Sequence, residues 1–405
     1  MSISRKTFDE VMFQCYKPLD MMIQRAHGAF VYDSSGNRYL DLTAGIAVNS
    51  LGHTPKGVQK VIRKQADELI HCSNIFTNKK TLELGKKLVS MTDFDRVFFV
   101  NSGAEANECA LKLARRVAFN EANDEKNEII SFLNSFHGRT LFSVCVGGQD
   151  KYSDGFGPKP AAITHLPYND VETFTRTISE KTCAVILEPV QGEGGIIPVD
   201  PKFLKTVREL CSKYKAMLIF DEVQTGVGRT GALYEYQNLG VIPDAITTAK
   251  GLGAGLPIGA VLAKEEFARH FGPGTHGSTF GGNPLACAVG CYVIEKIGDP
   301  VFLNKVREKG QYLKEGLESI GRKYGVFEEV RGKGLLLGCV LTDRYQGRSG
   351  SLQQYGFKHK LLTLVAGSNV LRIAPPLNIK KSLLDKGLKM LEKAVTDFTA
   401  DQSVK

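Results

Sequence analysis

Apolar positions along this chain change rhythm three times, and each change predicts a different kind of element. Up to about residue 45 the reading is an extended arm with short strands. Phe30-Val31-Tyr32 and Tyr39-Leu40-Asp41-Leu42 flank Asp33-Ser34-Ser35-Gly36-Asn37, whose residues favour tight turns, so a hairpin is predicted. From Pro55 to Met91 the spacing becomes helical: Val58, Ile62, Ala66 and Leu69, then Leu82, Leu84 and Leu88. From Val97 onward, short continuous apolar runs alternate with helical stretches. These runs are 97–100, 129–133, 184–187, 217–220, 245–248 and 258–263, and they suit central strands of a mostly parallel sheet covered on both faces. After Pro284 the rhythm changes again. Leu303, Val306, Gly310, Leu313, Leu317 and Ile320 keep one helical face, 335–341 reads as a strand, and Leu384, Leu388, Leu391, Val395 and Phe398 face one side of a last helix. A large α/β unit followed by a smaller α+β unit is therefore expected, with no repeat or Pro/Ser linker between them.

Composition narrows the class. With 405 residues, 42% hydrophobic and 23% charged, the chain is expected to be a soluble globular protein with a sizeable core. Its net charge of +9 suits acidic small molecules, but the basic residues are scattered and not interleaved with aromatics, which argues against nucleic-acid binding. The nine cysteines include no CxxC pair and lie mostly in apolar runs, so they read as reduced core residues with no disulfide framework and no metal site. Met1 to Glu10 is polar, no run is long enough to span a bilayer, and a cytoplasmic location is expected.

The chemistry gathers where predicted strands end. Lys250 follows the 245–248 run and precedes a glycine cluster; poor solvation there favours its neutral amine, which can form a Schiff base with an aldehyde cofactor, although an ordinary lysine in a glycine-rich loop is the plainer reading. Ser102, Gly103 and Ala104 open a helix after the 97–100 run, either as a phosphate seat of free N–H groups or as a simple capped start. Asp221 ends an apolar strand and needs a cationic partner, such as a protonated pyridine nitrogen, unless it caps the next turn. Phe136 and Arg139 follow the 129–133 run, where an aromatic can stack on a cofactor ring and an arginine can fork onto a carboxylate; a core Phe and a surface Arg are the alternative. Glu188 and Glu193 add acids at another strand end, and Ser278 and Thr279 offer hydroxyls to a phosphate. Gly226-Val227-Gly228-Arg229-Thr230-Gly231 has the spacing of a dinucleotide-binding fingerprint, yet Asp221 to Thr225 separate it from the strand and no amphipathic helix follows, so a nicotinamide oxidoreductase is rejected.

The ordered set 101–107, 136–140, 188–195, 221–231, 248–251 and 277–284 resembles the class III, or omega-type, pyridoxal-phosphate aminotransferases of fold type I. Segments 45–49 (Gly-Ile-Ala-Val-Asn), 151–158 and 330–334 (Val-Arg-Gly-Lys-Gly) bring the chain nearest to the bacterial acetylornithine-type members. The resemblance implies a large domain, 51–290, with a mostly parallel seven-stranded sheet, and a small α+β domain formed by 1–50 and 291–405. It implies pyridoxal 5'-phosphate as cofactor and a homodimer with shared active sites. Lys250 is similar to the Schiff-base lysine, Asp221 to the partner of the pyridine nitrogen, Gln224 to the neighbour of the ring hydroxyl, and Phe136 to the stacking aromatic. Ser102, Gly103 and Ala104 match the phosphate seat, Val223 matches a further cofactor contact, and Thr279 matches a phosphate ligand reaching over from the second subunit. Arg139, with Ser278 beside it, and Tyr16 match groups that hold substrate, while Glu193 and Arg372 resemble a pair in which the glutamate masks the arginine until an α-carboxylate arrives. The implied reaction moves the terminal amine of N2-acetylornithine to 2-oxoglutarate, giving glutamate. Succinylornithine, succinyl-diaminopimelate, free ornithine and 4-aminobutyrate stay open as donors, although relatives acting on free ornithine carry an aromatic where Ile46 stands. A non-catalytic relative would be expected to have lost Lys250 or Asp221, and both are present.

Overall fold

A computed structural model describes residue 3 and residues 5–401. The apolar runs become a seven-stranded sheet in the order Arg96–Val100, Gly259–Ala263, Ala245–Thr248, Met217–Asp221, Thr182–Leu187, Glu128–Phe132, Ile163–Leu166. Gly259–Ala263 runs antiparallel to both of its neighbours and the other recorded pairs are parallel, so six strands end on one edge. Thr182–Leu187 and Met217–Asp221 are buried at every position, as expected of central strands with helices on both faces. The edge strand Ile163–Leu166 is half polar, which is why its pattern does not announce a strand.

Capping chemistry fixes the helices that carry or support the site. Ser102 accepts a hydrogen bond from Glu105 N at the start of the Gly103–Glu121 helix, whose Ala106, Ala110, Leu113 and Ala114 bury against the sheet. Pro300–Tyr324 begins with Asp299 capping Val301 N and proline at the first turn; it ends at Gly325 in the left-handed region. Lys381–Ala400 buries Leu384, Leu391, Val395 and Phe398.

Both ends of the chain share one sheet. Ile23–His27, Phe30–Asp33 and Arg38–Asp41 form a meander, and Leu361–Leu362 pairs parallel to Arg38–Asp41. A second four-stranded antiparallel sheet has the order Phe327–Lys333, Leu336–Leu341, Val370–Ile373, Leu364–Ala366. One expectation is corrected here: the N-terminal arm is not wholly extended, because Arg5–Val11 forms a short helix, with Arg5 and Asp9 paired one turn apart. After the meander the chain makes a left-handed turn in which Ala44, Gly45, Ile46 and Ala47 all have φ between +47° and +62°. No helix among the described residues is long and apolar enough to cross a membrane.

Candidate active site

The strand ends converge on a cavity of about 450 Å³ at the carboxyl edge of the large sheet, where open α/β sheets bind ligands. Its lining comes from the ends of five strands: Asn101 to Ala104, Phe136 to Arg139, Glu188, Asp221 with Val223 and Gln224, and Ala249 with Lys250. Pro257 and Ile258, which lead into the antiparallel strand, close one side, and Val48 from beyond the left-handed turn closes another.

Lys250 opens a single 3-10 turn directly after the Ala245–Thr248 strand, with φ +40°. A non-glycine residue in that region stores strain on the order of 1–3 kcal/mol, here at the residue whose amine faces the cavity. Burial, the largest influence, pulls its ammonium below the ordinary lysine range; Glu193 pushes back, Arg372 adds to the fall, and Asp221 and Glu188 resist it, with a downward balance. Gly251 leaves room for Ser50, whose Oγ would lie 2.7 Å from a Cβ at that position.

Asp221 is 3% exposed and held from three directions. Asn107 Nδ2 donates to its Oδ2 at 2.7 Å, His137 Nδ1 meets the same oxygen at 2.8 Å, and Val223 N donates to Oδ1 at 3.0 Å. Behind it, Thr247 Oγ1 donates to Asn107 Oδ1 and Asn107 Nδ2 also reaches His137 O, so the carboxylate cannot turn without breaking a buried network. His137 Nε2 is buried and has no partner among the described residues. Asn107 and His137 lie inside motifs read from the sequence, but only the fold reveals that both point at Asp221. Glu188 organises the neighbouring loops, accepting from Phe136 N at 3.0 Å and Gly192 N at 2.9 Å; burial raises its pKa to about 7, with His137 lowering it and Asp221 raising it further.

At the helix start, the N–H groups of Gly103 and Ala104 meet no acceptor among the described residues. Gly103 lets Val223 approach, since a Cβ would come 2.7 Å from its Cγ1, and Gly138, at φ +135°, does the same for Ala104. Arg139 is exposed at the rim, its guanidinium carbon 3.7 Å from the Tyr152 ring centroid, and it has no carboxylate partner among the described residues. Stacking by the flat face leaves its N–H edges available to an anion. Arg372 is 2% exposed. Its Nη1 donates to the Glu193 carboxylate, to Gln224 Oε1 at 3.0 Å and to Gly192 O at 3.3 Å, and its Nη2 reaches Glu193 Oε2 at 3.3 Å. Burial pushes the Glu193 carboxyl up, but the Arg372 charge and hydrogen bonds outweigh it and leave it below the usual carboxylate range.

Three of the expected residues stand apart from this constellation in a single chain. Ser278 does not line the cavity; its Oγ accepts from Asn101 Nδ2 at 3.2 Å, beside the helix start. Thr279 is exposed and does not line the cavity. Tyr16 lines a separate hollow under the N-terminal arm, together with Thr43 and Ile46. The Gly226–Gly231 segment is a run of turns that opens no helix; the side chain of its Arg229 is buried and reaches Leu335 O and Pro375 O.

Residues 12–395 match the family described as aminotransferase class-III. The chain is 52% identical over 398 residues to the acetylornithine aminotransferase of Vibrio vulnificus, covering 98% of this chain and 99% of that protein. It is 50% identical to the succinylornithine transaminase of Photorhabdus laumondii, covering 98% of this chain and 99% of that one. Among solved structures, the N-acetylornithine aminotransferase of Stenotrophomonas maltophilia superposes with a TM-score of 0.84 at 39% identity, covering 95% of this chain and 98% of that chain. The ornithine aminotransferase of Toxoplasma gondii gives 0.92 at 31%, covering 97% and 94%. The lysine, aspartate and masked arginine thus sit in a chain whose full length matches known transaminases, and the chain belongs to the class-III aminotransferase family.

Proposed function

We propose that this enzyme transfers the terminal amine of N2-acetylornithine to 2-oxoglutarate, giving N-acetylglutamate 5-semialdehyde and glutamate, a reversible step of arginine biosynthesis. The observation that carries the reading is a pair of arginines about the site: Arg139 at the cavity rim, without a carboxylate partner among the described residues, and Arg372 bonded to the cavity-lining Gln224 and neutralised by Glu193. A donor with one carboxylate remote from its reacting amine needs only the first. A dicarboxylate acceptor needs both.

Pyridoxal 5'-phosphate fits the donor set: free N–H groups at a helix start for a phosphate, a buried anchored carboxylate for a ring nitrogen, an aromatic for a ring face, and a lysine of depressed pKa. When bound, it supplies a carbonyl that accepts the amino group and an electron sink that acidifies the neighbouring C–H bond. Ser102, Gly103 and Ala104 would seat the phosphate. Asp221, kept anionic-side-in by Asn107 and His137, would hold the ring nitrogen's proton, with Gln224, Val223 and Phe136 packed around the ring. Lys250 Nζ, shifted by burial toward its neutral form, would take the proton from the substrate carbon that bears the reacting nitrogen and deliver it to the carbon on the other side of that nitrogen. Arg139 grips the α-carboxylate of the donor, then the γ-carboxylate of 2-oxoglutarate, whose α-carboxylate displaces the Glu193 side chain from Arg372. Tyr16 and Ser278 would join the substrate contacts on closure. Exposed Thr279 is the group that a second copy would contribute to a phosphate, in a homodimer with shared sites. Residues 51–290 would then be the cofactor domain, and 1–50 with 291–405 the domain that brings Arg372.

Likeness to a succinylornithine transaminase supports a second reading in which the donor carries a larger acyl group. Steady-state kcat/KM measured for acetylornithine, succinylornithine, succinyl-diaminopimelate, ornithine and 4-aminobutyrate separates the two. Acetylornithine should be preferred, and a preference for free ornithine or 4-aminobutyrate would remove the proposal.

A further inference from the structure

The Val-Arg-Gly-Lys-Gly segment at 330–334 has no part in the chemistry above, yet it touches the gate. Glu193 sits at the tip of a small hairpin in which Val190–Gln191 pairs antiparallel with Ile197–Pro198. That tip is gripped by two arginines from one sheet. Arg331 stands directly opposite Gly338 on the next strand, and Gly338 stands directly opposite Arg372 on the one after, so the three positions form a row across the sheet on one face. From one end of the row, Arg331 donates Nε at 3.0 Å and Nη2 at 2.9 Å to Gly195 O. From the other, Arg372 holds Gly192 O and the Glu193 carboxylate. Between them Gly338 has no side chain, and Ile196 fills the gap: a Cβ on Gly338 would come 2.8 Å from Ile196 Cβ. Ile196 is fully buried and held at φ +57°, and Gly195 at φ +117°. A β-branched residue does not take that conformation unaided. The hairpin tip is therefore bracketed, with its backbone fixed by Arg331 whatever the Glu193 side chain does.

We infer that Arg331 is a positioning residue for the gate: by fixing Gly195 O it keeps Glu193 over Arg372 while the amine donor reacts, and leaves the backbone as a fixed pivot when the glutamate side chain moves aside for the acceptor. The inference rests on the reading of Glu193 and Arg372 as a gate. Its consequence is asymmetric between the half-reactions. Loosening the tip leaves Arg372 unmasked more often, an uncompensated cation when the donor binds but the required state when 2-oxoglutarate binds. A merely structural arginine would lower both half-reactions alike.

The test is single-turnover kcat/KM for each half-reaction, in the full-length holoenzyme. Arg331→Met should raise the ratio of acceptor to donor kcat/KM about tenfold, the scale of a lost charge-assisted hydrogen bond, with Arg331→Lys in between. Gly338→Ala, which pushes on Ile196 from the opposite side, should move the ratio the same way and serves if Arg331→Met does not fold. Hydrogen exchange of the 190–197 amides should quicken in Arg331→Met. Glu193→Ala should raise the ratio by itself, and in that background Arg331→Met should add nothing. If Glu193→Ala leaves the ratio unmoved, the gate reading falls and the inference with it. If Glu193→Ala moves the ratio but Arg331→Met does not, or moves it equally without Glu193, or exchange is unchanged, only the inference about Arg331 is overturned.

Discussion

Strain and enclosure act together on Lys250. Its backbone is left-handed, its side chain lines the cavity, and loss of water shifts its free amine toward the neutral form that can attack and abstract. Lys250→Ala should lower kcat by about 10³ or more and abolish trapping of a cofactor by borohydride on the protein, read by intact mass. Asp221→Asn keeps the size of the side chain but removes the negative charge proposed to face the ring nitrogen, and should cost roughly 10²–10³ in kcat with modest change in KM. One residue away, Glu222 is fully buried and serves structure: it accepts from Tyr236 N at 2.8 Å and from Thr225 Oγ1, and burial lifts its pKa to about 7. Because the folded state binds this proton more tightly than the unfolded chain, the stabilising contribution is complete below the ordinary value of 4.5. It is lost as pH rises through about 7, a difference of roughly 3 kcal/mol at most. Glu222→Gln should therefore flatten the dependence of unfolding free energy on pH between pH 4.5 and 7; an unaltered slope would contradict the assignment.

Among the elements, those whose burial is uniform were legible from the chain, and those defined by tertiary context were not. Met217–Asp221 is apolar up to its last residue because both faces are covered, and Ala245–Thr248, buried throughout, carries the β-branched run Ile-Thr-Thr, so these two strands were marked by their own residues, and with them the strand-end positions of Asp221 and Lys250. Ile163–Leu166 escaped notice because an edge strand with His165 on it carries little signal. Arg372 interrupts the apolar strand Val370–Ile373, and nothing in its spacing points to Glu193, far away in sequence; its role came from resemblance alone. The left-handed Ala44–Ala47 turn is likewise invisible, since alanine and isoleucine do not advertise positive φ. Helix ends are more predictable. Pro201–Tyr214 starts with Asp200 and proline as capping rules require, but its left-handed C-terminal residue is Lys215, exposed at φ +51°. Lys215→Gly should remove that strain and stabilise the fold by about 1 kcal/mol, measured by denaturant unfolding.

For the molecule as a whole, the exposed Thr279 makes a prediction about assembly. If a second copy supplies it to each cavity, a Lys250→Ala dimer and a Thr279→Ala dimer each have two damaged sites. A hybrid of the two has one intact site and one doubly damaged one. Mixing equal amounts through an unfolding and refolding cycle should restore activity to roughly a quarter of the wild-type value, as random pairing makes half the dimers hybrid. No recovery above the sum of the separate variants would mean that each chain completes its own site.

Strand order in the large sheet also governs when the protein can be finished on the ribosome. Arg96–Val100, the first of its strands to be made, pairs only with Gly259–Ala263, the last, and Arg38–Asp41 waits longer still for Leu361–Leu362. A nascent chain therefore exposes Asn101 to Ala104 beside an unpaired strand edge through most of translation, and cannot enclose a ligand until the antiparallel strand arrives. Stalled or prematurely terminated products should be recognisable to proteases at these two waiting edges, so quality control can act on the incomplete chain before it competes for cofactor.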